Sequence, residues 1–247
     1  MRTIYRLNGE LDCFFTAVFL AYNDAAAYLT ASSCMQGCIG ETVVTVEVDE
    51  GKAARVIRKI KSIDATALFD VQTILCSSAY DSEQTAFLYV KELVKAGRAV
   101  RGHLSVECVR RAMDLRAQVL GEVHRLKGFL RFSETLGGVM YAPCSPDHDV
   151  VELLLPHFVG RLSGIPFAIH DVHRGKAALY NGRESVVMPV DAADVLATRQ
   201  EEMIADLWRK YYRTVNIPHR KNERQRKGYM PRRYWQFLTE QPGHDEP

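Results

Sequence analysis

The sequence lacks the motifs that identify several common enzyme classes. No GxxxxGK[ST] phosphate loop, no GxSxG nucleophile elbow and no GxGxxG turn after a strand occurs in its 247 residues. These motifs supply, in turn, backbone N–H groups for phosphates, an exposed nucleophilic serine and dinucleotide contacts. Their absence argues against nucleotide hydrolysis, serine-hydrolase chemistry and dinucleotide-linked redox chemistry.

Long apolar runs are also missing. No run approaches the roughly 20 residues that a membrane-spanning helix needs, and the N-terminus shows no charged-then-apolar signal pattern. The six cysteines are scattered, and several lie in apolar stretches where a thiol behaves as a small hydrophobic group. We therefore expect a cytoplasmic protein with reduced thiols and no membrane contact.

The closest approach to a cofactor motif is Cys34 to Cys38, "CMQGC". It matches the first part of the CxxxCxxC loop of radical-SAM enzymes, but Ile39, Gly40 and Glu41 follow where a third cysteine is required. Three thiolates are needed to hold that iron–sulfur cluster, so this loop cannot hold it by itself. The sequence therefore implies no cofactor, and no metal ligand is assigned.

Positive charge is concentrated near the C-terminus. Residues 209–233 contain ten Lys and Arg and one acid, Glu223, whereas the rest of the chain has 22 bases against 29 acids. The overall charge of +2 therefore hides a segment of +9 on a body of −7. Such a block repels itself unless it meets an anionic partner or the protein's own acids.

Aromatic residues accompany this charge, with Tyr229, Tyr234 and Trp235 inside "KGYMPRRYW". Lys and Arg neutralise phosphates while Tyr and Trp stack on unpaired bases, so the combination favours single-stranded or distorted DNA. Tyr234 and Trp235 could equally anchor a short final helix. The candidates for backbone contacts are Arg220, Lys221, Arg224, Arg226, Lys227, Arg232 and Arg233, with Tyr234 beside them.

The hydrophobic pattern predicts an α+β fold with a mostly antiparallel sheet. Strand-then-helix patterns occupy 3–22 and 44–63, and two long helices follow within 81–128. From 129 to 190 the period indicates a ββαββ core layer, with a hairpin at Asn181–Gly182. The sheet is expected to pack against the long helices.

Three regions are expected to form one compact unit. Residues 1–117 are the helical and βα region, and residues 118–190 form the antiparallel α+β region. Residues 191–243 form a helical, basic C-terminal segment, in which Thr198-x-x-Glu201 is a capping-box pattern and Pro231 suits the first turn of a short helix.

A second group of polar residues lies in "SPDHDVVELLLPHF" and "IHDVHRG". Asp147, His148, His157 and Asp171 are candidate acid/base or catalytic groups, because a His/Asp cluster can move protons or hold a metal that activates water. The spacings match no standard zinc motif. Helix capping, turns and core histidines account for the same residues, and we favour this interpretation over a metal site.

Further cations extend the candidate DNA-binding surface. Arg174 follows Asp171 across a turn, and such an Asp–Arg pair is suited to positioning a phosphate or a base edge. Lys127 and Arg131 lie near a predicted helix C-terminus, where the helix dipole favours positive charge without any further role. We expect all three to contribute to the basic surface if they lie close to it.

Four stretches carry a resemblance to a known family. They are "LNGELDCFFTAVFLAY", "HRLKGFLRF", "YAPCSPDHDVVELLLPHFVGRL" and "LWRKYYRTVNIPHRKNERQRKGYMPRRYW". In this order, over nearly the whole chain, the sequence resembles a bacterial family of DNA metabolism and DNA repair proteins that carries a domain of unassigned function. The resemblance implies a radical-SAM DNA modification or repair protein as partner, and fusions of related domains to uracil-DNA-glycosylase-like domains. It implies no catalytic residue.

These observations leave three functions open. The first is a DNA-binding protein of repair or base modification that acts with the radical-SAM partner. The second is a glycosylase- or nuclease-like enzyme that uses the Asp/His group. The third is a protein-interaction module without DNA contact, in which the basic segment folds onto acids such as Glu201 and Glu202.

Overall fold

A computed structural model describes residues 2–32, 41–135, 138–190 and 230–237. The chain divides into two compact units, Met1–Leu120 and Gly121–Pro247. The helix predicted to start at the Thr198 capping box and the basic stretch as far as residue 229 lie outside the described residues. The same holds for Cys34 and Cys38.

The first unit contains a parallel sheet of three strands. They are β1 (Thr3–Arg6), β2 (Ala27–Thr30) and β3 (Thr42–Thr45), in the order β2-β1-β3. Helix α1 (Leu11–Ala21) connects β1 to β2, because parallel neighbours need a crossover connection. The two predicted strand-then-helix patterns are therefore present, and both strands belong to one sheet.

Helices supply most of the core of the first unit. They are α2 (Glu50–Ile63), α3 (Ala67–Leu75), α4 (Ser82–Ala96) and the first part of α5 (Glu107–Phe129), with a 3₁₀ helix at Gly97–Gly102. Asp49 caps α2, since its carboxylate accepts the backbone N–H of Lys52 at 3.0 Å. Phe14, Phe15 and Val18 of α1 lie in the core.

One buried carboxylate joins α3 to three other helical segments of the first unit. Asp70 of α3 is fully buried and accepts hydrogen bonds from Arg101 at 2.6 Å, Arg116 at 2.7 Å and the Tyr89 hydroxyl at 3.1 Å. A buried carboxylate is tolerated only when it is paired and hydrogen-bonded. These contacts satisfy that requirement within the core.

The second unit contains a five-stranded mixed sheet. Its strands are β4 (Ser133–Glu134), β5 (Met140–Cys144), β6 (Phe167–Asp171), β7 (Lys176–Tyr180) and β8 (Ser185–Pro189), in sequence order. Helix α6 (Val151–Leu162) connects β5 to β6, and these two strands are parallel. The other neighbouring strands are antiparallel, and β7 and β8 form the hairpin predicted at Asn181–Gly182.

The α+β class is therefore present, but the mostly antiparallel sheet and the ββαββ core layer are not confirmed. The first sheet is wholly parallel, and the second contains the parallel pair β5–β6. The physical reason lies in the connections, because α1 and α6 each carry the chain back to the end of the sheet where the preceding strand began. Antiparallel pairing would have required turns instead of helices at these places.

The C-terminal 3₁₀ helix spans Arg232–Phe237. Its first turn is closed by the Tyr234 N–H, which donates to the Pro231 carbonyl at 3.1 Å, and the Trp235 indole N–H donates to the Met230 carbonyl at 3.1 Å. Tyr234 is buried. Among all described helices, none combines the length and apolar character required to cross a bilayer.

Candidate polar site around Glu122

The centre of the site is the carboxylate of Glu122, on the part of α5 that belongs to the second unit. This side chain is fully buried and accepts the backbone N–H groups of Asp147 at 2.9 Å and His148 at 2.8 Å. These two residues lie between β5 and α6, where the chain leaves the sheet. Glu122 therefore fixes the position of both candidate catalytic residues through their backbone.

The C-terminal 3₁₀ helix supplies the remaining donors. The Tyr234 hydroxyl donates a hydrogen bond to Glu122, and Arg233 Nη2 lies 2.9 Å from Glu122 Oε1. The same guanidinium nitrogen lies 2.6 Å from Asp147 Oδ2. Arg233 is thus held between two carboxylates, of which Glu122 is buried and Asp147 is 56% exposed.

The donors around Glu122 decide its ionisation. Burial by itself raises the pKa of this carboxyl, but the hydrogen bonds from Tyr234, from the backbone of Asp147 and His148 and from Arg233 outweigh it. The pKa is lowered, so Glu122 is a carboxylate at neutral pH. The phenol of Tyr234 has a raised pKa, first because it is buried and then because it donates to this anion.

A second ion pair supports the same loop from the sheet. Arg174 Nη1 lies 2.7 Å from Asp171 Oδ2, while its guanidinium also donates to the carbonyls of Pro146 at 3.1 Å and Asp147 at 2.6 Å. Asp171 is fully buried, and its Oδ1 accepts the backbone N–H groups of His173 and Arg174. Asp171 therefore caps the turn between β6 and β7 and positions the Arg174 side chain against the loop between β5 and α6.

His148 is the titratable group that these contacts surround. Its pKa is lowered mainly by burial, and the positive charges of Arg174 and Arg233 lower it further. The carboxylates of Glu122 and Asp147 act in the opposite direction without reversing the shift. A neutral imidazole at neutral pH is the form that can accept a proton.

The four candidate catalytic residues are not all brought together. Asp147 and His148 belong to the polar site, and Arg174 links Asp171 to it. His157 belongs to a different group on α6, where its ring meets that of Phe158 edge-on at 4.9 Å. Within the described part of the chain, no cluster of three or more His, Cys, Asp or Glu residues has a metal-binding arrangement.

His157 instead lies near two cations. Its pKa is lowered by burial and then by the nearby Lys127 and Arg161, with no carboxylate contributing. Its Nε2 is buried and hydrogen-bonds to no described residue. Neither Lys127 nor Arg161 forms an ion pair with any residue that the structure describes. We call Lys127, His157 and Arg161 the cationic cluster.

The candidate DNA-binding residues have different environments. Arg131 donates to the Gly128 carbonyl at 2.9 Å at the end of α5, whereas Arg174 and Arg233 pair with carboxylates and Tyr234 is buried on Glu122. The structure describes the backbone of Arg232 but not its side chain. The remaining candidates lie outside the described residues: Arg220, Lys221, Arg224, Arg226 and Lys227.

Glu122 itself was not among the residues selected from the sequence. The signal was present, since Val119, Val123 and Leu126 mark the buried face of α5 and Glu122 falls on that face. An acid on the apolar stripe of a helix requires buried donors. Tyr234, for which a core-anchoring role was an open alternative, supplies one of them.

Comparison with known proteins assigns the chain to a family. The family model of the domain of unknown function DUF4130 matches residues 80–240. No curated protein and no solved structure matches the chain. The matched range includes every residue of the polar site and of the cationic cluster.

Proposed function

The chain belongs to the DUF4130 family, a domain of unknown function, and we propose that it binds DNA in repair or base modification, together with a radical-SAM partner. Two features of the sequence support the proposal. One is the segment with ten bases and one acid. The other is the resemblance of four stretches to DNA metabolism and repair proteins. The partner is implied by that resemblance.

The observation that carries DNA contact is the cationic cluster. His157 and Arg161 lie four residues apart and therefore on the same side of α6, and Lys127 is close enough to lower the pKa of His157. Lys127 and Arg161 are two cations without a described ion-pair partner, and their charges repel a proton on His157, whose lowered pKa leaves it neutral at neutral pH. A phosphate would relieve this repulsion and accept the hydrogen bond that His157 Nε2 does not make with a described residue.

The polar site has a different role in this proposal. Arg174 and Arg233 already pair with Asp171, Glu122 and Asp147, so releasing them to a phosphate would leave buried carboxylates unpaired. The contacts of Arg233 hold the C-terminal 3₁₀ helix, which begins five residues after Lys227. Arg233 therefore pairs with the protein's own acids and not with an anionic partner, which were the two alternatives for the basic segment. DNA contact is assigned to the cationic cluster and to the bases from Arg220 to Lys227.

The test is a salt titration of binding to labelled single-stranded and duplex oligonucleotides, measured by fluorescence anisotropy. With about five phosphate contacts, log affinity on a duplex falls with log salt at a slope of roughly −4 to −5. Lys127→Gln with Arg161→Gln should reduce the magnitude of the slope by about 2, because each lost contact removes roughly 0.9. Arg183→Gln, an exposed cation on the β7–β8 turn, is the matched control.

The outcomes separate the proposals. A flat salt dependence, or no binding, contradicts the DNA proposal and favours the interaction module. If Lys127→Gln with Arg161→Gln behaves as Arg183→Gln does, the cationic cluster is not the contact. The same titration with the radical-SAM protein added tests the partner, since joint binding should raise the affinity for DNA.

A second candidate function, a glycosylase- or nuclease-like enzyme, is favoured by His148. This half-buried imidazole has a lowered pKa and lies among Asp147, Arg174 and Arg233, so it is suited to accept a proton beside an anionic substrate. Base release or strand cleavage by the protein alone, with and without divalent metal, tests it. Loss of that activity in His148→Asn would support the role, while inactivity of the unaltered protein on lesion-bearing DNA would exclude it for those lesions.

A further inference from the structure

The first unit contains a cavity that is unrelated to the polar site. Helices α1, α2 and α4 line a cavity of about 370 Å³. Pockets that hold small molecules typically have volumes of roughly 300–1,000 Å³. The cavity lies before residue 95 in sequence, and most of its lining precedes the range that the family model matches.

The interior of the cavity is apolar. Its apolar wall includes Val18 and Phe19 of α1, Ile60 of α2 and Val90 and Val94 of α4. The uncharged polar residues of the lining are Tyr22 and Asn23, at one end. The edge of a nucleobase needs several hydrogen-bond partners that this wall does not offer. The wall therefore suits an aliphatic or aromatic body.

Two cations complete the lining. Arg55 and Lys59 lie four residues apart on α2, line the cavity and are exposed to solvent. Arg55 Cζ is 5.5 Å from the ring centroid of Phe19, which places the guanidinium against the cavity wall. No described carboxylate forms an ion pair with either side chain.

The positive charges of Arg55 and Lys59 favour a ligand with a negative charge. Like charges four residues apart repel on a helix surface, whereas Lys52 of the same helix is paired with Asp49 at 2.8 Å. A carboxylate or phosphate placed between Arg55 and Lys59 would remove the repulsion and gain charge-assisted hydrogen bonds. An uncharged ligand would use the wall alone.

We propose that this cavity is a binding site for a small organic anion, whose apolar body lies among α1, α2 and α4 and whose anionic head pairs with Arg55 and Lys59. Inorganic phosphate is not the expected ligand, because it has no apolar body to contact the wall. A neutral lipid or alcohol is not the expected ligand either, because it has no anionic head to pair with Arg55 and Lys59. The proposal does not depend on DNA binding, because the residues involved belong to the first unit.

Octanoate and 1-octanol are the probes, because they share an aliphatic body and differ in the charged head. Binding to the full chain is measured by isothermal titration calorimetry, below the concentration at which octanoate forms micelles. We expect octanoate to bind more tightly than octanol. Arg55→Gln with Lys59→Gln should weaken octanoate by roughly tenfold or more and leave octanol unchanged.

Two further variants define the site. Val56→Trp places an indole on the lining of the cavity and should weaken both probes. Lys61→Gln removes an exposed cation of the same helix that does not line the cavity, and it should leave both probes unchanged. Thermal unfolding of each variant, without ligand, shows that the fold is retained.

The proposal is overturned by any of three results. Octanoate does not bind the unaltered protein, or its affinity is the same in Arg55→Gln with Lys59→Gln, or Lys61→Gln weakens it equally. A loss confined to octanoate in the double variant, with loss of both probes in Val56→Trp, supports the site. Failure of DNA binding would leave each of these outcomes unchanged.

Discussion

The hydroxyl of Tyr234 donates a hydrogen bond to the carboxylate of Glu122, although 112 residues separate them in sequence. Arg233 forms an ion pair with the same carboxylate, and the backbone N–H groups of Asp147 and His148 donate hydrogen bonds to it. One buried acid on α5 therefore organises both the loop before α6 and the C-terminal 3₁₀ helix. The first three predictions test this arrangement.

Glu122→Gln should destabilise the protein by about 2–4 kcal/mol, because the amide has no charge for Arg233 and its NH₂ group opposes an existing donor. The free energy of unfolding is measured by urea titration. Glu152→Gln, an exposed acid on α6, is the control and should change it by less than about 0.5 kcal/mol. Equal effects of the two substitutions would contradict the role of Glu122.

The same carboxylate should make stability depend on pH. Its pKa is lowered in the fold from the ordinary value of 4.5, so its contribution is fully present above pH 4.5 and is lost as the pH falls through the folded-state value. We expect the stability difference between the unaltered protein and Glu122→Gln to shrink below pH 4.5. Urea titrations across the acid range measure it, and a difference that grows on acidification would have the wrong sign.

His148 should titrate below its ordinary pKa of 6.5. Because Asp147 raises this pKa and burial lowers it, Asp147→Asn should move the midpoint further down. Proton–carbon NMR of the imidazole measures the midpoint. In the control Asp149→Asn, the removed carboxylate belongs to the pair with Lys176, and we expect a smaller change. An upward shift in Asp147→Asn would contradict the electrostatic account.

Gly182, in the turn between β7 and β8, should not tolerate a side chain. Its φ is +95°, and a Cβ atom would lie 2.8 Å from the Gly164 carbonyl oxygen. Gly182→Ala is expected to cost about 1–3 kcal/mol of stability. Gly128→Ala, in α5 with open space around the added atom, should be neutral or stabilising by up to about 1 kcal/mol. Thermal or urea unfolding distinguishes the two.

Local patterns predicted the elements whose signals are contained in a few residues. The apolar spacing of Phe14, Phe15 and Val18 predicted α1, and Asn181–Gly182 predicted the β7–β8 hairpin. Strand β2 was missed, because four residues without alternation give a weak signal. It is held by pairing with β1 and by the Gln84 side chain, which accepts the Leu29 N–H at 2.9 Å. Such partners are distant in sequence.

The polar site could be predicted only in part for the same reason. Asp147 and His148 lie in the bend before α6, Asp171 and Arg174 lie at the turn between β6 and β7, and their residue types drew attention to them. Glu122 contacts residues that lie 25 and more positions away. Residue type also grouped His157 with the others, although its position on α6 places it beside Lys127 and Arg161 instead.

Attachment of the C-terminal 3₁₀ helix to Glu122 has a consequence for limited proteolysis. Val190 and Met230 both belong to the second unit, and the ion pair and hydrogen bond at Glu122 do not require the peptide chain between them to be intact. After a single cut between these residues, the C-terminal fragment should therefore stay bound to the rest of the protein. The two pieces should elute together in native gel filtration and separate only in denaturant.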